Sequence, residues 1–169
     1  MQDHWSITKS KIVSLEMVMA LVKVWKQNDE KIVFTNGCFD ILHLGHVTYL
    51  AKAASLGNHL IVALNSDDSV RLLNKAPNRP IHDENARQCV VAGLGFVDAV
   101  LLFQDTTPLS AIEAILPDVL VKGADYDAKE SDKSSIKYIV GSDIVLKNGG
   151  CVETIDLVIG HSTTGILAK

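Results

Sequence analysis

The sequence has no excess of basic residues, because 16 Lys and Arg stand against 20 Asp and Glu and give a formal net charge of -4. A protein that binds nucleic acid through its phosphate backbone usually presents a basic face. The charge balance therefore argues against a general nucleic-acid binder. Any phosphate group that the protein binds must be met by a few individually placed cations.

Cysteine is scarce, and the three thiols, Cys38, Cys89 and Cys151, are widely spaced and form no CxxC pair. Their odd number and spacing predict reduced thiols without a disulfide, as in a cytoplasmic protein. No apolar run approaches 18 residues, and the N-terminal residues are polar. Neither a membrane span nor a secretory signal is predicted, so we expect a cytoplasmic protein with no membrane association.

Two familiar nucleotide-binding patterns are also missing. No glycine-rich loop ends in Gly-Lys-Ser/Thr, which excludes a P-loop. The segment 93–98 begins like a dinucleotide fingerprint, but its third glycine is absent and it closes a predicted helix. Neither pattern supports a nucleotide site of the corresponding kind.

With 169 residues, 47% of them hydrophobic, the chain fits one domain with a sizeable core. We expect a single domain over residues 1–169, with residues 1–29 forming a helical segment packed on it. Apolar runs and apolar periodicity predict strands at 31–34, 59–64, 99–103, 118–121 and 151–155, and helices at 15–25, 43–56, 83–94 and 107–116. This alternation implies right-handed crossovers and a Rossmann-like α/β fold, a five-stranded parallel sheet with helices on both faces.

The stretch from Thr35 to His46 joins the first predicted strand to a helix. His43 and His46 stand at i and i+3 in the first turn of that helix, so their rings should project toward one point. Unpaired backbone N–H groups at a helix start also attract anions. Gly37 and Gly45 lack a Cβ, which lets a phosphate approach the backbone closely. The stretch therefore predicts a phosphate site.

Two bland alternatives compete with that interpretation. A single histidine on a helix is more often packed or solvated than functional, although two in this loop favour function. Zinc is the other alternative. The HxxH spacing lacks the HExxH arrangement, and no nearby cysteine or carboxylate cluster completes a tetrahedral set.

The segment Gly37-Cys38-Phe39-Asp40-Ile41-Leu42-His43-Leu44-Gly45-His46 resembles the GxFDxxHxGH signature of the cytidylyltransferase-like nucleotidyltransferases. The resemblance implies that the two histidines bind the α-phosphate during the reaction, and that Asp40 orders the loop. The nucleotide-binding residues that it implies in this part of the chain are Asn36, Gly37, Cys38, Phe39, Asp40 and Gly45.

Hydroxyls recur at a predicted helix N-cap near the end of the sequence, at Ser162, Thr163 and Thr164. Capping alone would account for one serine at such a position. Together with the first motif, however, the segment resembles a second signature of the same family. That resemblance implies that these hydroxyls and amides hold the terminal phosphates of the nucleotide.

Four cations follow predicted strands and can converge above the C-terminal edge of the sheet, although each alone is more often a solvated surface charge. They are Lys75, Arg79, Arg87 and Lys122. The family resemblance implies that Lys75, Arg87 and Lys122 neutralise phosphates, Lys122 as a catalytic residue beside the histidines and Arg87 on the nucleotide. It places Lys75 and Arg79 on the acceptor side.

A finer resemblance, to the heptose-1-phosphate adenylyltransferase branch, covers nearly the whole chain from Lys11. It rests on residues 34–37, 64–67, 79–80, 116–118, 120–126, 148–150 and 162–164. It implies Gly123 and Asp125 on the nucleotide, and Asn65, Asp67 and Tyr126 on the acceptor. Two departures are Ala76, where glycine is common, and the polar segment 127–135, predicted as a long mobile loop.

These residues together predict transfer of the adenylyl group of ATP to a sugar 1-phosphate, first of all D-glycero-D-manno-heptose 1-phosphate, giving ADP-heptose and pyrophosphate. Mg²⁺ is expected to bind through phosphate oxygens rather than through a protein ligand set, and a homodimer is left open. The runner-up is a CTP-dependent enzyme acting on glycerol 3-phosphate. Those enzymes usually carry an arginine before the S-T-T segment, where His161 stands here. A nucleotide sensor without turnover is the non-enzymatic alternative.

Overall fold

A five-stranded parallel sheet forms the centre of the protein, as seen in a computed structural model that describes residues 3–74 and 78–167. The strands are β1 (Ile32–Gly37), β2 (His59–Asn65), β3 (Ala99–Phe103), β4 (Val119–Gly123) and β5 (Cys151–Ile155). Their order is β3-β2-β1-β4-β5, with every neighbouring pair parallel. The predicted Rossmann-like fold is confirmed, and β1 lies at the centre, where the strand order reverses.

Helices connect the strands and cover both faces of the sheet. They are α1 (His4–Ser10), α2 (Leu15–Gln27), α3 (Leu44–Ala54), α4 (Asp67–Leu72), α5 (Glu84–Ala92), α6 (Leu109–Ile115), α7 (Ser142–Lys147) and α8 (Thr163–Leu167). One apolar core holds buried residues of α2, α6 and α7, and the other holds those of α3 and α5. Parallel strands covered on both faces read as continuous apolar runs, which is why the sequence revealed all five.

Helix α1 was not predicted, because residues 1–10 show no apolar period. A local cap begins it instead, since the carboxylate of Asp3 accepts a hydrogen bond from the Trp5 N–H at 3.1 Å. The chain then pairs briefly with the edge of β3, where Val100 donates its N–H to the Lys11 carbonyl and accepts one from Val13. The N-terminal segment therefore covers a sheet edge as well as contributing helices.

Two strands run further than predicted. β1 continues to Gly37, which pairs with Leu64, and β4 continues to Gly123, which pairs with Ile155. The N–H and C=O groups of these glycines are used in the sheet, so the loops that follow begin later than the composition indicates. Segment 127–135 contains no helix or strand, but turns fold it back, and the Asp127 N–H donates to the Lys137 carbonyl.

None of the helices in the described residues is both long enough and apolar enough to cross a membrane. The longest, α2, has 13 residues, well short of the ~20 needed to span a bilayer.

The fold makes a simple prediction about stability. Leu120→Ala, in the fully buried centre of β4, should lower the free energy of unfolding by ~2–5 kcal/mol, because the neighbouring side chains cannot fill the cavity. Leu146→Ala, on the exposed side of α7, is the matched control and should change it by less than ~0.5 kcal/mol. Urea denaturation measures both, and equal losses would contradict the assignment of the core.

Candidate active site

A cleft with a volume of about 360 Å³ opens at the C-terminal edge of the sheet, around the ends of β1 and β4. Open α/β sheets bind their ligands at this edge, at the point where the strand order reverses. The residues that line the cleft are Asn36, Gly37, Cys38, Phe39, His43, Gly45, His46, Tyr49, Arg79, Lys122, Gly123, Asp125, Tyr126, Leu157, Val158, His161, Ser162 and Thr163. The predicted motifs therefore meet in one place.

His43 and His46 come together as a stacked pair, with ring centroids 3.9 Å apart and planes 21° from parallel. His43 is the N-cap residue of α3, with φ at -138°, so it precedes the first turn in which the sequence placed it. The buried ring of Phe39 contacts His46 edge-on at 5.2 Å. Phe39 itself takes a left-handed φ of 45°, which turns the chain between β1 and α3.

Gly45 is required by packing within the protein. A Cβ at this position would lie 2.9 Å from Cε1 of His43 and 3.1 Å from the backbone oxygen of His161. Neither contact is tolerable, and one of them involves the backbone. The absence of a side chain thus lets the segment before α8 pack against the start of α3, which brings the two predicted phosphate motifs together.

Lys122 lies between the ends of β1 and β4. Its Nζ donates a hydrogen bond to Oδ1 of Asn36 at 3.0 Å and lies 4.8 Å from the ring centroid of Tyr126. The Asp125 carboxylate turns back toward Gly123, where any Cβ would meet its Oδ1 at 2.5 Å. This places one cation and one carboxylate beside the histidine pair.

The hydroxyl segment begins α8, as predicted. Ser162 accepts a hydrogen bond from the Gly165 N–H at 3.0 Å, so this side chain caps the helix. Ser162 and Thr163 both line the cleft opposite the histidines. The side chain of Thr164 lies outside the described part of the chain.

A second cavity of about 210 Å³ adjoins the cleft and shares residues 36–38, Lys122 and Tyr126 with it. Its remaining lining comes from Asn65, Leu73, Thr106, Thr107, Pro108, Tyr138 and Val140. The hydroxyl groups of two threonines and a tyrosine give this cavity a polar wall. Lys122 thus stands where two spaces of different chemistry join.

The model of the Cytidylyltransferase-like family matches residues 34–154, from β1 into β5. The chain belongs to the cytidylyltransferase-like family. The predicted family is confirmed, and with it the enzyme class, a nucleotidyltransferase.

Relatives within this family are similar over almost the entire chain. The bifunctional protein HldE of Mesorhizobium japonicum is 49% identical over 95% of this chain and 31% of that protein. HldE of Campylobacter concisus is 51% identical over 94% of this chain and 30% of that protein. The chain therefore spans about a third of the length of these relatives.

Two solved structures share the fold. A lipopolysaccharide core biosynthesis protein from Thermoplasma volcanium is 29% identical, with a TM-score of 0.58, over 76% of this chain and 97% of its own. A pantoate-β-alanine ligase from Francisella tularensis is 13% identical, with a TM-score of 0.53, over 86% of this chain and 66% of its own. The second likeness concerns the fold alone.

Asp40 belongs to the family motif, but its carboxylate does not face the cleft. It is buried and accepts hydrogen bonds from Arg79 Nε at 3.0 Å and from the N–H groups of Ile81 and His82 at 2.8 and 3.1 Å. These donors hold the pKa of Asp40 below its ordinary value, against the opposing effect of burial, which is the largest single influence. The predicted nucleotide contact is corrected: Asp40 orders the loop and positions Arg79, which lines the cleft.

Arg87 and Asp67 also need correction. Arg87 is only 1% exposed, and its guanidinium donates to the carbonyls of Cys38 and Asn65 at 2.8 Å each and to the Asp67 carboxylate at 2.7 Å. A phosphate cannot reach a cation enclosed in this way, and neither residue lines the cleft or the adjoining cavity. Both support the site from below. Lys75 lies outside the described residues.

Four residues that line the cleft were not predicted as site residues: Tyr49, Leu157, Val158 and His161. Tyr49 follows His46 by three residues on the same face of α3, and this spacing was a usable signal. Its hydroxyl lies 2.7 Å from Thr35 Oγ1. His161 directly precedes the hydroxyl segment. Leu157 and Val158 carry no sequence signal, because only the return of the chain after β5 brings them here.

No group of three or more His, Cys, Asp or Glu converges as a metal-ligand set within residues 3–74 and 78–167. The expectation that Mg²⁺ binds through phosphate oxygens stays a prediction. Nδ1 of His43 and of His46 are buried without a hydrogen-bond partner among the described residues. Two such nitrogens suit a phosphate oxygen that accepts from an imidazole N–H.

Burial, followed by the charge of His43, lowers the pKa of His46 to about 4, while interactions with Ile41 and Arg79 oppose and reinforce the shift. The pKa of His43 is also lowered, first by burial and then by His161. Both imidazoles are therefore neutral near pH 7 in the unliganded protein. They act as hydrogen-bond donors there, and an approaching polyanion would favour their protonation.

The lowered pKa of His46 predicts a pH dependence of stability. Between about 4 and the ordinary value of 6.5, the unfolded chain binds a proton that the folded protein excludes, so stability should fall as pH falls through this window. His46→Gln should reduce that slope, whereas His4→Gln, on the exposed helix α1, should leave it unchanged. Denaturation across this pH range measures the difference, and identical slopes in all three proteins would contradict it.

Proposed function

We propose that this chain is an adenylyltransferase domain, acting on the cytoplasmic metabolites ATP and a sugar 1-phosphate, foremost D-glycero-D-manno-heptose 1-phosphate. The supporting observation is the stacked pair His43 and His46, which faces the same cleft as Lys122 and the hydroxyl segment at Ser162 and Thr163. The described residues form one sheet around this cleft, so we treat them as one functional domain.

The reaction needs no nucleophile from the protein. A phosphate oxygen of the acceptor attacks the α-phosphorus of ATP, the bond to the bridging oxygen breaks, and pyrophosphate leaves. Catalysis then consists of placing the two substrates and stabilising the negative charge that gathers on the reacting phosphorus. Neutral imidazoles that donate hydrogen bonds and one lysine are suited to this task.

The two cavities offer a division of labour. The larger cleft, with the histidines and Ser162 and Thr163, would hold the triphosphate, while the smaller cavity would hold the sugar. Lys122 borders both and would lie beside the attacking phosphate and the α-phosphate. Mg²⁺, bound to phosphate oxygens, would neutralise part of the charge on ATP.

The smaller cavity favours a polyhydroxylated acceptor. Thr106, Thr107 and Tyr138 line it together with Asn65 and Tyr126, the two predicted acceptor residues that the structure places there. Polar groups of this kind discriminate strongly, because a substrate that lacks a hydroxyl leaves them unpaired. The relative from Thermoplasma volcanium is named for lipopolysaccharide core biosynthesis, in which a heptose donor is used, and this supports heptose over other sugars.

We expect His43→Ala and His46→Ala each to lower kcat by ~10²-fold or more, with a smaller change in the affinity for ATP, because each removes a donor that acts mainly in the transition state. His4→Ala is the matched control and should retain full turnover. Pyrophosphate release measures the rates, and circular dichroism confirms folding. Full activity in both histidine variants would exclude them from the chemistry.

The substrate assignment is tested by pyrophosphate release with ATP or CTP against heptose 1-phosphate, hexose 1-phosphates, glycerol 3-phosphate and ethanolamine phosphate. ATP with the heptose phosphate should give the highest kcat/KM, by ~10²-fold or more over glycerol 3-phosphate with CTP. Faster turnover with CTP and a polyol phosphate would replace the heptose assignment. Nucleotide binding without turnover on any acceptor would instead favour a sensor.

A further inference from the structure

Helix α2 carries apolar side chains on the side that faces solvent. Val18 and Val22 are buried against the sheet, but Met17, Leu21 and Val24 are 56%, 37% and 54% exposed. A surface helix normally places polar residues opposite its buried face, and a helix that is apolar all round is normally covered. This helix therefore has a second apolar face that the described residues leave open.

The exposed residues form a continuous band, which we call the outer stripe: Met17, Ala20, Leu21 and Val24. Their spacing of i, i+3, i+4 and i+7 puts them on one side of the helix over two turns. The smallest residue, Ala20, lies in the middle of the band. A small residue at that point lets a second helix approach closely, with larger side chains packing on either side.

One edge of the outer stripe carries two opposite charges. Glu16 and Lys23 are both exposed and are seven residues apart, so they lie on the same side of the helix. Their midpoint and that of Met17 and Val24 fall on either side of Ala20. When two copies of α2 cross antiparallel at Ala20, Glu16 of each copy meets Lys23 of the other.

We propose that the outer stripe is the contact surface of a homodimer in which the α2 helices of two copies pack antiparallel about a two-fold axis at Ala20. An isologous interface requires that residue i contacts j and j contacts i, and Met17 with Val24 and Glu16 with Lys23 satisfy this twice. The HldE relatives are about three times as long, so a further domain is the competing occupant. Opposite charges placed symmetrically about Ala20 favour a second copy.

The outer stripe is short, so the dimer is of the reversible kind that depends on protein concentration. Sedimentation velocity of the full chain over a ~100-fold range of concentration should show a monomer that converts to a dimer. Ala20→Arg, which sets like charges against each other at the axis, should weaken the dimer by at least ~10-fold. Its position on the exposed side of α2 leaves the core intact.

Charge reversal gives the sharper test. Glu16→Lys and Lys23→Glu should each weaken the dimer by about tenfold, because each change creates two like-charge pairs, and the double variant should restore it. Lys52→Glu, on helix α3 of the opposite sheet face, is the matched control and should have no effect. Thermal unfolding at low concentration verifies that the variants are folded.

Three results would overturn the proposal. The first is a wild-type chain that stays monomeric over the whole range, and the second is a dimer that Ala20→Arg does not weaken. The third is a double charge variant as weak as the single ones, which would show that Glu16 and Lys23 do not face each other across the axis. Nucleotidyl transfer is not measured in any of these experiments, so their outcome is separate from the proposed function.

Discussion

The buried guanidinium of Arg87 holds the floor of the site together. It donates to the carbonyl of Cys38 after β1, to the carbonyl of Asn65 at the end of β2, and to the Asp67 carboxylate at the start of α4. A fourth bond reaches the carbonyl of His82 at 3.1 Å. Removing this side chain would leave buried carbonyls and a carboxylate without a donor, a larger cost than the hydrogen bonds themselves contribute.

A second ionic contact completes the support. Asp40, next to the loop that Arg87 fixes, binds Arg79 and two backbone N–H groups of the segment that follows it. The two charged pairs thus tie the turn between β1 and α3 to residues some forty positions later in the chain. The histidine pair inherits its geometry from this turn, because His43 ends it and α3 begins directly afterwards.

The site combines rigid and adjustable parts in a way that suits phosphoryl chemistry. Strand ends and a helix start position Lys122 and the histidines, while the ring pKa values are lowered by burial and mutual proximity. Neutral rings avoid the cost of two buried cations in the absence of substrate. The negative charge of a nucleotide would then strengthen interactions that the unliganded protein does not need, which is favourable for a site that must release a charged product.

The sequence by itself determined the five strands, the family and the convergence of the two histidines, since these depend on apolar runs and on spacings of three or four residues. It could also place Ser162 at a helix start, because capping is local. The roles of Asp40, Asp67 and Arg87 were decided only by the tertiary structure: the Arg87 bond to Cys38 joins residues 49 positions apart, and no local pattern reveals it. A cation on the same sheet edge as a phosphate site looks identical in sequence whether it faces the ligand or the floor. The packing of β1 between β2 and β4 decides which.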